Sequence, residues 1–168
     1  IGSIVDPLFS IQAGIDSTVN GDTIIALPGI ITGSINFYGK EIVIGSQYLT
    51  TNDTSYISNT IIDGNQDGTV VTFNSGENLG SELTGLNITN GLGGQNSQSG
   101  GGIFCTNNSS PYIHDVIISG NKSKPTTSGG NRGAGVGCID NSNPIIDHVL
   151  IKYNESNYDF LHGGGIYC

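Results

Sequence analysis

Positive charge is scarce in this sequence, which has five lysine and arginine residues against fourteen aspartate and glutamate residues and a formal net charge of −9. Proteins that follow a phosphate backbone or an anionic membrane surface need clustered cations. We therefore expect no nucleic-acid partner. No apolar stretch approaches the roughly 20 residues that a membrane-spanning helix needs, so no membrane span is expected either.

Methionine and tryptophan are absent, and there are only three cysteines, whereas 27 of the 168 residues are glycine. An odd number of cysteines excludes a complete set of disulfides within the chain. The many β-branched residues argue against disorder and favour a β-rich protein with many turns. Because the sequence has no initiating methionine and no signal segment, we expect a mature or excised piece of a secreted protein.

A glycine-rich phrase occurs three times, as Gly-Gly-Gly-Ile-Phe-Cys at 100–105, Gly-Ala-Gly-Val-Gly-Cys at 133–138 and Gly-Gly-Gly-Ile-Tyr-Cys at 163–168. A second phrase, which begins with proline at 111 and contains two strand-like runs, returns at 144 in the same phase. Repeats of about 30 residues are typical of solenoids, in which each unit buries its apolar faces against its neighbours. The third copy ends at Cys168, so we expect further coils or a docked partner beyond it.

The first 22 residues differ from the rest of the chain. Asp6 and Pro7 suit the start of a helix, and Leu8, Ile11, Ile15 and Val19 follow at three- and four-residue spacings. We therefore interpret residues 1–22 as an N-terminal cap with a short amphipathic helix, and residues 23–168 as the solenoid with an uncapped C-terminal end.

Alternation of apolar and polar residues after Gly21 predicts short strands. We predict that the first coil consists of strands around Ile24, Phe37 and Ile44. Ile24 then aligns with Ile103 of a later coil, and Phe37 aligns with Ile113. The segments 45–59, 92–99, 122–132 and 155–162 are all predicted to leave from one corner, so a binding site is expected along that edge.

The repeated phrase ending in cysteine, the Pro-led strands and the Ile-Ile-Asp-Gly-Asn segment at 61–65 resemble the extracellular right-handed parallel β-helix proteins of the pectate-lyase-like superfamily. The resemblance covers about residues 10–168. It implies an all-β fold, a right-handed parallel β-helix of about four to five coils with a short N-terminal capping helix. It also implies an extracellular or cell-surface location. Because the superfamily includes lyases, hydrolases, adhesins and structural spikes, it implies little about activity.

Asp63, Asn65 and Asp67 have the alternating spacing of the first half of a calcium-binding loop. The bidentate glutamate expected at the twelfth position is replaced by Asn74. Aspartate, asparagine and glycine are also the residues of a tight turn, and we favour the turn. Calcium is the only cofactor that the sequence suggests.

His114 and Asp115 occupy the positions of Asp147 and His148 one repeat later, in swapped order. This arrangement predicts ion pairs across coils, His114 with Asp147 and Asp115 with His148. A metal site or an acid–base pair is the alternative, although strand alternation would place the two pairs on opposite sides.

Cys105, Cys138 and Cys168 fall at equivalent positions of successive repeats, so we expect a ladder of inward thiols. Their parallel spacing does not favour a disulfide, and three sulfurs on a line do not form a tetrahedral metal site. Cys168 at the open end is available for a bond to a neighbouring molecule.

No catalytic constellation emerges from the sequence. The single arginine, Arg132, lies in a glycine-rich segment, and the four lysines are dispersed. A lyase of acidic polysaccharides needs an acidic calcium cluster and a basic residue, and a hydrolase needs close carboxylates. Enzymatic activity therefore stays uncertain, and we predict no catalytic residues.

The functional hypothesis is a non-catalytic extracellular module, structural or adhesive, that self-associates or continues at its C-terminal coil. The predicted interface consists of Ile117, Leu150, Ile166, Tyr167 and Cys168. The alternative is a carbohydrate-active enzyme or a glycan-binding domain with its site on the loop edge, where a cell-surface glycan would contact tyrosines. The candidate tyrosines are Tyr112, Tyr153, Tyr158 and Tyr167.

Overall fold

The computed structural model describes residues 2–3, 5–94, 100–124, 133–156 and 164–168. Every strand pairing among these residues is parallel, and the strands stack as a β-solenoid of about four turns. The predicted all-β solenoid is therefore confirmed. No helix in the described ranges is long and apolar enough to cross a membrane.

Three five-stranded sheets form the walls of the solenoid, and a short three-stranded sheet lies at one corner. Sheet A contains β1 (Thr23–Ala26), β4 (Val43–Ser46), β7 (Glu82–Thr84), β11 (Tyr112–His114) and β15 (Ile145–Asp147). Sheet B contains β2 (Gly29–Thr32), β5 (Thr60–Asp63), β8 (Asn87–Thr89), β12 (Ile117–Ser119) and β16 (Leu150–Lys152). Sheet C contains β3 (Ile35–Asn36), β6 (Val71–Phe73), β10 (Ile103–Cys105), β14 (Val136–Cys138) and β18 (Ile166–Tyr167). Sheet D contains β9 (Leu92–Gly93), β13 (Lys122–Ser123) and β17 (Glu155–Ser156). Each coil passes from sheet A to B to C, and the three later coils pass through sheet D on the way.

One inward residue of each strand stacks on the equivalent residue of the next coil, so the core consists of columns. Leu83 and Ile113 of sheet A, and Ile88 and Ile118 of sheet B, are fully buried. The rings of Phe37 and Phe73 stack with their centroids 4.4 Å apart. Burying one such aliphatic side chain stabilises the fold by roughly 1.5 to 3 kcal/mol. Stability therefore depends on stacking neighbouring coils.

The predicted assignment of strands to the first coil was wrong. Ile24 pairs with Ile44, and Ile44 pairs with Leu83, so all three belong to sheet A. The sheet C partner of Val71 is Ile35, and β2, which was not among the predicted strands, supplies the sheet B strand.

The insertions leave the solenoid at two corners, which corrects the predicted single loop edge. The segment after β4 lies between sheets A and B and contains two short helices, α2 (Tyr48–Thr51) and α3 (Ser55–Asn59). The predicted segments 92–99, 122–132 and 155–162 instead begin in the strands of sheet D, and their residues 95–99, 125–132 and 157–162 lie outside the described residues. Helix α2 packs against β4, and α3 packs against β5 and β8.

The N-terminal helix α1 (Ile11–Ser17) packs against β1 and β3 and covers the N-terminal coil at these two strands. Its N-cap is Ser10, whose hydroxyl accepts a hydrogen bond from the Ala13 backbone N–H at 3.1 Å. The predicted start at Asp6 and Pro7 was wrong because the serine side chain satisfies the first turn. Ile11 and Ile15 of the predicted apolar face are buried, whereas Leu8 and Val19 lie outside the helix and are exposed. The Lys40 ammonium donates to the carbonyls of the last helical turn, where positive charge is favourable.

Candidate functional site

A cluster of polar side chains lies on the outer face of sheet A, and we call it the sheet A cluster: Glu82, Tyr112, His114, Asp115 and Asp147. Backbone register brings its members together, because Tyr112 is the partner of Glu82 and His114 is the partner of Asp147. The cluster therefore joins three successive coils. It contains three of the four residues that the sequence had indicated for ion pairs, namely His114, Asp115 and Asp147, but not His148.

His114 uses both of its ring nitrogens within the cluster. Nε2 lies 2.9 Å from Glu82 Oε1, and Nδ1 lies 2.8 Å from Asp115 Oδ2. The His114 side chain is only 17% exposed. Asp115 reaches the same face as His114 because its backbone is left-handed, with a φ of 51°. The alternation that predicted opposite faces does not hold at this residue.

These contacts control the proton affinity of the imidazole. Burial lowers the pKa of His114, but the hydrogen bonds and negative charges of Asp115 and Glu82 together outweigh burial, so its pKa is raised. A protonated His114 would be held between two carboxylates that belong to neighbouring coils. The cluster therefore acts as a clamp between β7 and β11.

Tyr112 and Asp147 complete the cluster. The Tyr112 ring stacks on the His114 ring with centroids 4.4 Å apart and an interplanar angle of 26°. The Tyr112 hydroxyl donates to Asp147 Oδ2 at 3.4 Å. Desolvation and the negative charge of Asp147 raise the pKa of Tyr112. Its hydroxyl therefore stays a hydrogen-bond donor throughout the neutral range.

The predicted ion pairs between His114 and Asp147 and between Asp115 and His148 were wrong, although the backbone register behind them is correct. Asp147 instead pairs with His148 at 3.1 Å, on an exposed part of the surface. Each histidine takes a carboxylate from its sequence neighbour because Asp115 and His148 both have left-handed backbones. No group of three or more His, Cys, Asp and Glu side chains in the described residues is arranged to hold a metal ion.

Helix α2 bounds the sheet A cluster on one side. A Cβ atom at Gly45 would lie 2.6 Å from Leu49 Cδ1, so this glycine allows Leu49 to pack directly on the sheet. Thr84, next to Gly45 in the register, is completely buried, and its hydroxyl lies 3.2 Å from His114 Nδ1. No pattern in the sequence indicated that residues 48–51 would contribute to this face.

The Asp63–Asp67 segment forms a tight turn between sheets B and C. Asp63 Oδ1 accepts hydrogen bonds from the Asn65 backbone N–H at 2.7 Å and from the Asn90 side chain at 2.8 Å. The backbone N–H of Asp67 donates to the Gly64 carbonyl at 2.9 Å. Asn65 and Asp67 are exposed. These hydrogen bonds show that the segment forms a turn, which explains its aspartate, asparagine and glycine residues. Calcium binding by Asp63, Asn65 and Asp67 stays a prediction.

The predicted interface residues lie on two different surfaces. Ile117 and Leu150 are neighbours on the outer face of sheet B, where Ile117 is half-buried and Leu150 is 50% exposed. The half-buried Ile61 and the exposed Ile30 lie further along the same outer row, beyond Asn87. Ile166, Tyr167 and Cys168 lie in or directly after β18, where Ile166 is 42% exposed and Tyr167 is half-buried. Their role as an interface stays a prediction.

The cysteine ladder is present on the inner side of sheet C. Cys105 and Cys138 are register partners, and both are buried, whereas Cys168 is exposed. All three are free thiols. The hydrogen bond with Cys138 and burial raise the pKa of Cys105, and burial and the neighbouring Cys138 raise the pKa of Cys168 to about 11.

Asn121 and Asn154 are structurally important residues that sequence reasoning missed. Asn121 is fully buried, and its side chain accepts from the Gly91 N–H at 2.9 Å and donates to the Ile88 carbonyl at 3.1 Å. Asn154 repeats the last contact by donating to the Ile118 carbonyl at 2.9 Å. Their 33-residue separation matches the repeat and was the signal that could have identified them.

Glu77 is a second missed residue, a carboxylate that is only 1% exposed. Its two oxygens accept hydrogen bonds from the backbone N–H groups of Gly39 and Ser75, both at 2.9 Å, and from the Ser109 hydroxyl at 2.7 Å. Glu77 thus ties together the corners of three coils between sheets C and A. Nothing in its immediate sequence distinguishes it from a surface glutamate.

Comparison with protein-family models, with curated proteins and with solved structures found no match to this chain. Arg132 and Tyr158, which entered the predictions about catalysis and glycan contacts, lie outside the described residues. Tyr153 is 82% exposed and lies directly after β16.

Proposed function

We propose that this chain is a non-catalytic extracellular module, structural or adhesive, of the pectate-lyase-like parallel β-helix type. The observation that carries the proposal is the engagement of both His114 ring nitrogens by Glu82 and Asp115. A histidine that acts as a general acid or base must present one nitrogen to a substrate. Here Nε2 is engaged by Glu82 of the neighbouring coil and Nδ1 by Asp115 of the same coil, and the ring is largely covered.

The other titratable groups of the sheet A cluster support the same reading. Asp147 accepts from Tyr112 and pairs with His148, so it too is engaged by neighbours. The cluster therefore contributes to the rigidity of the rod. An extended rigid scaffold suits a protein that displays surfaces or forms part of a longer assembly.

Self-association, or packing of further coils, is part of the proposal. The outer row of sheet B carries two aliphatic pairs, Ile30 with Ile61 and Ile117 with Leu150, and Asn87 lies between the pairs. Ile30 is 68% exposed and Leu150 is 50% exposed. Exposed aliphatic pairs on a solvent-facing sheet favour a contact with another apolar surface. The negative net charge leaves neutral or cationic partners, which include cell-surface glycans without carboxylates.

Incubation of the chain with a panel of neutral and acidic glycans, with and without calcium, tests the absence of catalysis. We expect no product by chromatography or mass spectrometry. Formation of a product that disappears in a Glu82→Gln variant would overturn the proposal. His148→Gln is the matched control, because His148 is exposed and its ion pair within the described residues is with Asp147.

Sedimentation analysis over a wide concentration range tests self-association. We expect the average mass to rise with concentration and the rise to be reduced in a Leu150→Lys variant. Tyr153→Ser is the control, because Tyr153 is even more exposed than Leu150, at 82% against 50%, but lies outside the aliphatic row. A monomer at every concentration, or equal effects of both variants, would remove self-association through sheet B.

The second candidate is a glycan-binding or glycan-cleaving surface at the sheet A cluster. It is favoured by the proximity of the Glu82 and Asp147 carboxylates to the ring of Tyr112. Aromatic rings and carboxylates are the groups that bind sugar faces and hydroxyls. Glycan-array binding that is lost in Tyr112→Ala and kept in Tyr153→Ala would support this candidate.

A further inference from the structure

The three cysteines form a column whose spacing is set by the sheet. Neighbouring parallel strands lie about 4.8 Å apart. Cys105 and Cys138 are register partners, and Gly137 pairs with Tyr167, so Cys138 and Cys168 follow in the same register. The neighbouring Cys105 and Cys168 thiols lower the pKa of Cys138, against the opposite effect of burial.

This spacing does not suit a disulfide. A disulfide has an S–S bond of about 2.05 Å and brings the two Cβ atoms to about 3.8 Å. Identical side chains in a parallel ladder keep their Cβ atoms about one strand spacing apart. Oxidation would therefore require the strands to shift relative to each other, and the core columns on both sides of the ladder oppose such a shift.

A two-coordinate cation fits the same spacing. Two metal–sulfur bonds of about 2.3 Å in a line separate the sulfur atoms by about 4.6 Å, close to the strand spacing. Linear coordination by two thiolates is the preference of soft univalent cations with a filled d shell, such as Cu(I) and Ag(I). We propose that Cys138 and Cys168 form a binding site for one such cation.

We choose Cys138 and Cys168 over a pair that includes Cys105 because of the solvent access of Cys168 and the negative charge near Cys105. Cys168 is exposed and offers an entry, whereas Cys138 is only 2% exposed and shields the bound ion from water. Cys105 is less suitable because it is completely buried and senses the negative charge of the buried Glu77. The described residues offer no third ligand from histidine or a carboxylate, which is consistent with coordination by two sulfurs.

Binding is a proton exchange without electron transfer. Two thiols release two protons to the solvent, two metal–sulfur bonds form, and the cation keeps its oxidation state. The product, a cation between two thiolates, carries a net charge of −1. Because burial and the neighbouring Cys138 raise the pKa of Cys168 to about 11, we expect the affinity to fall as the pH is lowered.

The site lies on the inner side of sheet C and is independent of the outer surfaces on which the proposed function rests. Failure of one proposal leaves the other intact. The experiment uses the reduced full chain under anaerobic conditions, with Ag(I) or Cu(I) delivered in competition with a chromophoric chelator. Native mass spectrometry gives the stoichiometry, and X-ray absorption gives the ligands.

We expect one tightly bound cation per chain with two sulfur ligands in linear arrangement. Cys168→Ser should weaken binding by about 100-fold or more, because the second ligand is no longer held beside the first. Since Cys168 is exposed, this variant does not disturb the core. Cys105→Ser is the matched control and should retain the site, with circular dichroism to verify its fold.

Three results would overturn the proposal. One is the absence of stoichiometric binding in the reduced chain. Another is equal affinity of the Cys168→Ser variant and the parent. The third is a ligand set that contains nitrogen, oxygen or a third sulfur.

Discussion

The side chain of Gln12 pairs with the backbone of Asn36 as a neighbouring strand would. Gln12 Oε1 accepts from the Asn36 N–H at 2.8 Å, and Gln12 Nε2 donates to the Asn36 carbonyl at 3.3 Å. Asn36 lies in β3, the outermost strand of sheet C at the N-terminal side. An exposed strand edge is prone to pair with other chains, so this amide protects the edge of sheet C.

Replacement of Gln12 tests this protection. We expect Gln12→Ala to lower the free energy of unfolding by about 1 to 2 kcal/mol, because two hydrogen bonds to a strand edge are lost. Urea denaturation followed by circular dichroism measures the change. Ser17→Ala, on the exposed part of the same helix, should change stability by less than about 0.5 kcal/mol. Equal effects of the two substitutions would show that only the helix matters.

Asn121 should be among the least replaceable polar residues. We expect Asn121→Ala to destabilise the fold by about 3 kcal/mol, because the Gly91 N–H and the Ile88 carbonyl would lose buried partners. Thermal unfolding provides the measurement. Asn107→Ala is the control, since Asn107 is exposed and donates only to the Asn74 carbonyl. A small effect at Asn121 would mean that water replaces its side chain.

The sheet A cluster should make stability depend on pH. The folded-state pKa of His114 is raised above the unfolded value of about 6.5. Its stabilising contribution is therefore fully present below pH 6.5 and is lost as the pH rises through the folded-state pKa.

We expect His114→Gln to remove this dependence and to reduce the stability of the fold at about pH 5.5 by about 1 kcal/mol. Unfolding free energies measured from about pH 5.5 to 8.5 test it. His148→Gln, which replaces an exposed histidine one repeat later, should leave the pH profile nearly unchanged. An unaltered profile in His114→Gln would contradict the clamp.

Equivalent glycines of successive repeats should respond differently to substitution. A Cβ atom at Gly135 would lie 2.5 Å from the Gly165 carbonyl oxygen, whereas one at Gly165 would have only Ile151 Cγ2 nearby, at 3.7 Å. We expect Gly135→Ala to destabilise by about 1 to 3 kcal/mol, since two backbones would have to separate. Gly165→Ala should be tolerated within about 0.5 kcal/mol. Chemical denaturation of both variants in parallel compares them, and equal losses would contradict the contact.

The register of the later coils was predictable, and that of the first coil was not. Ile113 and Ile146 stand 33 residues apart in matching phrases, so their stacking follows directly from the sequence. The first coil is much shorter, since Ile24 and Ile44 are only 20 residues apart. Without a glycine-rich phrase in this region, alternation alone allowed Ile44 to be placed in the wrong sheet.

The sheet A cluster was predictable in its members but not in its contacts. The sequence brought His114 opposite Asp147, and the register is correct. Partner choice depended on the left-handed backbone at Asp115 and on Glu82, which lies 32 residues before His114 in a coil without the repeated phrase. Two-residue alternation assumes extended backbone throughout, and it fails where a strand turns into the next corner.

The sequence by itself determined the solenoid, the columns of its later coils and the ladder of cysteines, because a repeat places equivalent residues on top of each other whatever the loops do. Only the tertiary structure decided which strands form the first coil, how α2 bounds sheet A, and why Gln12, Glu77 and Asn121 matter. These features depend on contacts between segments that share no repeat, and local patterns of polarity carry no information about such contacts.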